Sequence, residues 1–384
     1  MIIILYNFQI SALFTNTTAI YYFIFLQELV ALRDVLDKIS QKTMLKCILE
    51  NPICPTINRK LKWTGRADSL TLLKEAVLKL LSACASLDAR QKEYIISVIY
   101  GAVGVGKSRL GWDGLKIVMK ILMKENPKIS NGTKLHSLNE IYDLSEDHII
   151  SLFLDFTEGQ DDWIPHLDGL GKRSYSIGFR LAARFFFGVG AQKLDSCCPL
   201  TETEFLTFEI ESVADQIEAK LREILKIPHD KVVVMPVLFD EYQKLTDGNV
   251  KYGAKLGVEI LSMLRGAKKQ RGLVLVPVLD GTTESDAVEV IDLSSYGLHK
   301  ICLGPLNKGE DMEIVTAGLG EEIANNMWCQ VAIESLGRIP RYIEYFLHAC
   351  NLEPIGKDHC AYFDKILNMV CEVLHLMNSF RLLV

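Results

Sequence analysis

Residues 101–108 carry the clearest chemical pattern in the sequence, because they read GAVGVGKS. Glycines let a backbone take conformations that are closed to other residues, so successive N–H groups can point at one anion. A lysine and a serine at the end of such a loop can hold phosphate oxygens and Mg²⁺ respectively. The spacing G-x-x-x-x-G-K-S therefore predicts a loop that binds the polyphosphate of a nucleotide.

Each part of this segment, here called the phosphate loop (residues 101–108), has an expected contact. Lys107 is expected to neutralise the β- and γ-phosphates, and the Ser108 hydroxyl to ligate Mg²⁺. Backbone N–H groups of the loop and of the following helix are expected to bind the remaining phosphate oxygens. The predicted nucleotide-binding residues of this segment are Gly101, Val103, Gly104, Val105, Gly106, Lys107, Ser108 and Arg109.

An acidic pair, Asp240 and Glu241, directly follows the apolar run VVVMPVLF at residues 232–239. Mg²⁺ keeps several of its waters and takes few protein ligands, so one carboxylate at the end of a strand can complete its site. We expect Asp240 to hold Mg²⁺, directly or through water. Glu241 is placed one residue further on, where it could polarise the attacking water as a general base.

A parallel sheet must bring these two segments together. Four apolar runs have strand length and lie at residues 94–100, 149–156, 232–239 and 273–279, and a short fifth strand is predicted at residues 300–303. Near-continuous apolar runs are typical of strands that are buried on both faces. Helices are predicted at residues 29–39, 174–187, 213–226 and 254–265, so the sequence favours an α/β fold with three layers.

The strand at residues 273–279 ends in the sequence DGTT, and we expect it between the other two strands that carry chemistry. Ligands of such sheets bind beyond the carboxyl ends of the strands. Thr282 or Asp280 could therefore reach the γ-phosphate of a bound nucleotide. Capping of the turn by the Thr282 hydroxyl is the alternative.

The order of these segments resembles the ATPase module of the Crinkler effectors and of the related retrotransposon hot-spot proteins. The matching segments lie within residues 60–350 and read WTGR, GAVGVGKS, VLFDE, LVPVLDGT, ICLGPL and GRIPRYIE. The resemblance implies an AAA+/STAND-like P-loop ATPase, with the ASCE/AAA+-like parallel sheet of P-loop NTPases and a C-terminal helical lid. It also implies ATP and Mg²⁺ as ligands.

Two further contacts are implied by the same resemblance. Gly65 and Arg66 match a Gly-Arg pair that lies near the adenine in related ATPases. Arg341, with Arg338 as the alternate, matches a basic residue of the lid that senses the γ-phosphate. By spacing alone, either arginine could be a solvated helix residue. The predicted catalytic residues are Glu241, Lys107, Thr282 and Arg341, and the predicted metal ligands are Ser108 and Asp240.

We predict three parts in the chain. Residues 1–58 combine an apolar segment, an amphipathic helix and a linker. Residues 59–305 form the P-loop core, with an insertion at about 157–228. Residues 306–384 form the helical lid. The first 27 residues carry no charged side chain, so a signal peptide or a membrane anchor is the alternative to a buried segment or a wrongly assigned start.

Composition excludes several classes of protein. The 42 basic and 48 acidic side chains give a net charge of −6, which argues against binding nucleic acid by bulk electrostatics. A basic cluster could contact nucleic acid locally or supply an arginine finger to a neighbouring subunit, and the alternative is a hydrated helix end. The cluster consists of Arg265, Lys268, Lys269 and Arg271. The ten cysteines contain no C-x-x-C pair, which predicts reduced thiols. We expect an intracellular protein, and the resemblance leaves secretion into a host cell open.

The sequence therefore predicts an ATPase that hydrolyses ATP to ADP and phosphate with Mg²⁺. The reaction would drive a conformational switch, or remodel a protein or nucleic-acid partner, and a homo-oligomer is one open prediction. The alternative is a nucleotide-dependent switch or effector-like interaction protein that does not hydrolyse ATP. A membrane-anchored ATPase is a third hypothesis, and it depends on residues 1–27.

Overall fold

A computed structural model describes the chain in eight ranges, which are residues 31–40, 66–86, 88–131, 134–156, 160–247, 250–266, 272–353 and 358–381. The predictions for residues 1–27 and for Gly65 lie outside the described residues, as do those for Lys268, Lys269 and Arg271. Within these ranges, no helix combines the length and the hydrophobicity that crossing a membrane requires.

Six parallel strands form the central sheet. These strands are β1 (Ile95–Gly101), β4 (Tyr142–Asp143), β5 (Leu152–Asp155), β6 (Val232–Asp240), β9 (Leu273–Gly281) and β10 (Gly297–Leu303). Their order is β10-β1-β9-β6, and β4 and β5 pair with opposite ends of β6 on its remaining edge. Two antiparallel hairpins lie apart from this sheet and consist of β2 (Lys128–Asn131) with β3 (Lys134–Ser137), and β7 (Thr246–Asp247) with β8 (Val250–Lys251).

The apolar runs of the sequence are the buried strands of this sheet. All nine residues of β9 and eight of the nine residues of β6 are buried. The predicted position of β9 between β1 and β6 is confirmed. The edge strand β10 begins at Gly297, three residues before its predicted start at residue 300. The prediction missed these residues because they are only partly buried and form no apolar run.

Helices pack on both faces of the sheet, which gives the predicted three-layer α/β fold. They are α1 (residues 31–40), α2 (Ala67–Ala85), α3 (Lys107–Arg109, the π-helical Leu110–Gly114, and Leu115–Glu125), α4 (Leu138–Ile141), α5 (Pro165–Asp168), α6 (Arg173–Phe187), α7 (Ala191–Cys197), α8 (Glu202–Phe205), α9 (Ile210–Leu225), α10 (Tyr252–Gly266) and α11 (Ser285–Ser294). A Cβ on Gly111 of α3 would lie 2.4 Å from a Leu238 methyl group of β6, so this glycine lets α3 pack closely on the sheet.

The amphipathic helix α1 packs on its own chain. Its apolar residues Leu32, Val35, Leu36 and Ile39 are buried in the core that surrounds the sheet. On its polar face, Lys38 forms an ion pair with Glu204 of α8. The predicted apolar face of this helix is therefore covered by the protein itself.

The chain between β5 and β6 contains a buried network of charged residues. Arg180 of α6 donates hydrogen bonds from Nη1 and Nη2 to the two carboxylate oxygens of Asp168, at 2.9 and 2.7 Å. Both side chains are 1% exposed. Nearby, Arg184 Nε donates to Asp161 at 2.7 Å, and Asp161 also accepts from the backbone N–H of Ala191 at 2.9 Å. These bonds attach the loop after β5 to α6.

Replacing Asp168 by alanine is expected to lower the free energy of unfolding by about 3–5 kcal/mol, because the buried Arg180 charge would lose its partner. Unfolding in urea measures this loss.

Burial opposes ionisation of Asp168, but the Arg180 charge and hydrogen bonds lower its pKa overall. A lowered pKa stabilises the fold above the pKa of the unfolded chain, so this contribution should be lost as the pH falls below about 4.

The matched control for this prediction is Lys74→Ala. Lys74 forms an ion pair with Glu125 at 2.9 Å, and the two side chains are 26% and 49% exposed. Removing such a pair is expected to cost less than about 1 kcal/mol. Equal losses in the two variants would contradict a stabilising role of the buried network.

The C-terminal helices form the predicted helical lid around a second hydrophobic core. They are α12 (Glu310–Leu319), α13 (Glu321–Ala324), α14 (Met327–Ser335), α15 (Pro340–Leu352) and α16 (His359–Arg381). This core extends from Leu306 to Val370, whereas the core around the sheet extends from Leu32 to Leu303. The lid therefore buries its own apolar residues in a core that is separate from the core around the sheet.

Candidate nucleotide-binding site

The phosphate loop connects β1 to α3, as its sequence predicts. Gly106 has φ +92° and directly precedes the first helical residue, Lys107. Only glycine adopts this conformation without strain. At the start of the loop, a Cβ on Gly101 would lie 2.3 Å from the carbonyl oxygen of Leu303 in β10. The first and last glycines of the pattern are therefore required by close approach and by backbone conformation, respectively.

The phosphate loop and the acidic pair meet at the carboxyl ends of the strands. Ser108 Oγ donates a hydrogen bond to Asp240 Oδ1 at 2.7 Å, although the two residues are 132 positions apart in the chain. Lys107 is 6% exposed, and its Nζ donates a long hydrogen bond of 3.4 Å to the carbonyl oxygen of Ala102. The lysine is thus folded back onto the loop that it belongs to.

Glu241 adopts an uncommon backbone conformation for a residue other than glycine, with φ +53°. Conformations of this kind cost free energy and occur frequently at functional sites. The Glu241 carboxylate accepts a hydrogen bond from Gln243 Nε2 at 2.6 Å, and the same nitrogen lies 3.4 Å from Thr282 Oγ1. Gln243 therefore connects the predicted general base to the predicted γ-phosphate contact. No sequence pattern predicts this glutamine, because it lies in a short 3₁₀ turn after the strand.

Asp280 lies at the end of β9, between the strands that carry the phosphate loop and the acidic pair. Its side chain is completely buried, and neither carboxylate oxygen accepts a hydrogen bond from a donor among the described residues. Burial raises the pKa of Asp280 well above its ordinary value, and the adjacent charge of Asp240 raises it further. Burial also raises the pKa of Asp240, although its hydrogen bond from Ser108 opposes this effect. The two carboxyl groups therefore favour a shared proton or a cation over two free negative charges.

Arg66 links the phosphate loop to the lid. Its guanidinium donates a hydrogen bond to the carbonyl oxygen of Val105 at 2.8 Å, and its backbone N–H donates to Glu310 Oε1 of α12 at 2.9 Å. Burial lowers the pKa of Arg66, and Glu310 partly compensates. Its predicted neighbour in binding the base, Gly65, is outside the described residues.

The structure separates the two candidate arginines of the lid. The backbone N–H of Arg341 donates to the carbonyl oxygen of Gly104 in the phosphate loop at 3.2 Å, and its half-exposed side chain lies 3.6 Å from Glu344. Arg338 instead pairs with the buried Asp311 at 3.2 Å and with Glu334 at 2.9 Å, so it stabilises the lid. Of these two arginines, only Arg341 forms a hydrogen bond with the phosphate loop within the described part of the chain.

Two of the predicted loop contacts have side chains that are at least partly exposed. Val103 is 46% exposed. Arg109, in the first turn of α3, is 21% exposed and lies 3.4 Å from Asp113 in the next turn.

The residues at the acidic pair fit a Mg²⁺ ion. Among the described residues, no group of three or more His, Cys, Asp and Glu side chains is arranged to hold a metal. Mg²⁺ does not require such a group, because it binds through one or two carboxylates together with waters and substrate phosphates. Ser108 and Asp240 provide a hydroxyl and a carboxylate in contact, and the unpaired carboxylate of Asp280 lies beside them.

The strand order and the loop after β1 define the class of fold, a P-loop NTPase of the ASCE/AAA+-like kind with a helical lid. No protein-family model and no curated protein matches the chain.

Solved structures give distant matches. The ORC2 protein of Aeropyrum pernix in its ADP form is 14% identical, with a TM-score of 0.45, and the match covers 84% of this chain and 71% of that one. Its ADPNP-ADP complexes match with the same score and identity, over 84% and 70% of the chains. The HORMA:CdnC:Trip13 complex of E. coli MS115-1 is 12% identical over 81% and 89%, with a TM-score of 0.39.

Proposed function

We propose that the protein binds ATP and hydrolyses it to ADP and phosphate in the presence of Mg²⁺. The observation that supports this proposal is the 2.7 Å hydrogen bond between Ser108 and Asp240. It joins the end of the phosphate loop to the acidic pair, of which Glu241 is the second residue. ATP is favoured over GTP by the resemblance to the Crinkler ATPase module and by the lack of a convincing N-K-x-D motif.

The proposed reaction assigns a separate role to each charged group. Lys107 would leave the carbonyl oxygen of Ala102 and bind the β- and γ-phosphate oxygens. Ser108 and Asp240 would hold Mg²⁺, which supplies charge neutralisation to the phosphates when it is bound. Glu241 would accept a proton from the attacking water.

Thr282 and Arg341 would both act on the γ-phosphate. Thr282 directly follows β9 and would offer its hydroxyl as a donor. Arg341 begins near Gly104, and its side chain is 50% exposed, so it can turn from Glu344 towards a phosphate. Developing charge on the transferred group would be stabilised by such donors.

A second candidate function is a switch that binds ATP with negligible turnover. The observation that favours it is the 2.6 Å hydrogen bond that Gln243 donates to Oε2 of Glu241, because a hydrogen bond to a carboxylate makes it a weaker base. Turnover would then increase with a change that breaks this bond, such as contact with a partner or with another copy of the chain. The partner, a homo-oligomer and membership of the Crinkler or retrotransposon hot-spot families remain predictions.

Steady-state phosphate release by the purified full chain tests the proposal. With ATP and Mg²⁺ we expect sustained release, and with EDTA we expect ATP binding without release, because the phosphate loop can bind the nucleotide but the reacting phosphate lacks its cation. Binding is followed separately with a fluorescent ATP analogue. Tight binding without release in Mg²⁺ would support the switch, and failure to bind nucleotide under both conditions would contradict both functions.

A further inference from the structure

The carboxylate of Asp280 is the least explained polar group of the site. It is 0% exposed, and neither oxygen has a hydrogen-bond donor among the described residues. Buried polar groups in native proteins nearly always have a partner, so such an exception calls for a ligand, a water or a proton.

The neighbouring groups do not donate to Asp280 in this structure. The Ser108 hydroxyl lies close enough to Asp280 to influence its carboxyl group, but its single hydrogen is donated to Asp240. Lys107 faces Asp280 closely enough to affect its charge, but its described hydrogen bond is to the carbonyl oxygen of Ala102. Asp240 is itself a carboxylate and can share a hydrogen bond with Asp280 only through an additional proton.

The local charge balance also favours a cation. The carboxylates of Asp240 and Asp280 are adjacent, and Asp155 of β5 lies in register with Asp240 and adds to the negative charge. Lys107 is a positive charge that acts on Asp280. A phosphate cannot be the direct ligand of an ionised Asp280, because the two groups repel each other. A hydrated divalent cation can bind to both carboxylates and offers its waters as donors.

We propose that Asp280 is a cation-binding carboxylate, and that Asp240, Asp280 and Ser108 hold a hydrated Mg²⁺ or Mn²⁺ ion before a nucleotide binds. The inference deepens the proposed function, since the same ion would later meet the phosphates. It assigns Asp280 to the metal in place of the direct γ-phosphate contact that the sequence left open. Nucleotide binding would then occur at a site already carrying a positive charge.

The test measures Mn²⁺ binding to the purified full chain without nucleotide, using the electron paramagnetic resonance signal of free Mn²⁺. We expect the wild type to bind one ion per chain, with competition by Mg²⁺. Asp280→Asn should weaken binding by about tenfold or more, because one ligand charge is lost. Asp240→Asn should show a comparable loss, and Asp88→Asn, at an exposed loop position, should bind Mn²⁺ like the wild type.

Asparagine has nearly the shape of aspartate and removes the repulsion from Asp240, so we expect Asp280→Asn to fold, and its melting temperature verifies this. Equal Mn²⁺ affinity in the wild type and in folded Asp280→Asn would overturn the inference, as would the absence of Mn²⁺ binding to the wild type. ATP binding in EDTA is measured on the same samples. If the wild type binds ATP and Asp280→Asn leaves the Mn²⁺ affinity unchanged, this inference alone is refuted. If the wild type binds Mn²⁺ as expected but does not bind ATP, the proposed function alone is refuted.

Discussion

Glu241→Gln is expected to reduce steady phosphate release by about 10²–10⁴-fold, which is the usual contribution of a general base. Glutamine keeps the size of the side chain but cannot accept the proton of the attacking water. ATP affinity should change little, because Glu241 is not among the groups expected to bind the phosphates. Phosphate release and ATP binding, measured on the same preparation, separate the two effects.

The control for this experiment is Glu313→Gln, which makes the same chemical change at an exposed position of the lid helix α12. Its phosphate release should match that of the wild type. If Glu241→Gln retained full turnover, Glu241 would not be the base, and if it lost ATP binding as well, the residue would have a structural role. Because Glu241 has the uncommon backbone conformation φ +53°, a melting curve of Glu241→Gln checks that the variant remains folded.

Lys107→Ala is expected to weaken ATP binding by about 100-fold, since charge-assisted hydrogen bonds contribute about 1.5–3 kcal/mol each. The Lys107 ammonium is the positive charge held within the phosphate loop, and its present bond to Ala102 is long, at 3.4 Å. Its removal should therefore change affinity far more than stability. Equilibrium binding of a fluorescent ATP analogue measures the first quantity, and thermal unfolding without nucleotide measures the second.

Lys124→Ala provides the matched control, because Lys124 is an exposed lysine in the last turn of the same helix, α3. This variant should bind ATP as the wild type does. Equal affinities of Lys107→Ala and the wild type would show that the phosphate loop does not bind the polyphosphate. A large fall in melting temperature for Lys107→Ala would instead assign the buried lysine to the fold.

The central sheet could be predicted from the sequence because its strands are long, apolar and buried on both faces. β1, β6 and β9 lie where their apolar runs predict, and the segments after them meet at one edge of the sheet. β4 has only two residues, and the first residues of β10 are partly exposed, so neither β4 nor the full length of β10 produces a recognisable pattern. Apolar runs in a sequence indicate buried strands, so they are least informative for the short and partly exposed strands at the edges of a sheet.

The residues that meet at the candidate site could be predicted where one motif contains several of them, but not where their contacts depend on tertiary structure. The loop pattern indicates Lys107 and Ser108 directly. Gln243 contacts Glu241 through a short turn that has no fixed sequence. The burial of Asp280 depends on the packing of β9 between two other strands. Likewise, the apolar pattern of α6 gives no sign that Arg180 is buried with a carboxylate partner.

The lid contacts the phosphate loop directly through the bond from the Arg341 N–H to Gly104, and indirectly through Arg66, which donates to both Glu310 and the Val105 carbonyl oxygen. A molecule that binds the lid and shifts it would therefore act on the backbone of the phosphate loop. Thermodynamic reciprocity requires the converse with equal magnitude: occupancy of the phosphate loop changes the affinity of the lid for whatever it binds. Through these hydrogen bonds, the binding affinity of the lid would depend on whether the phosphate loop is occupied.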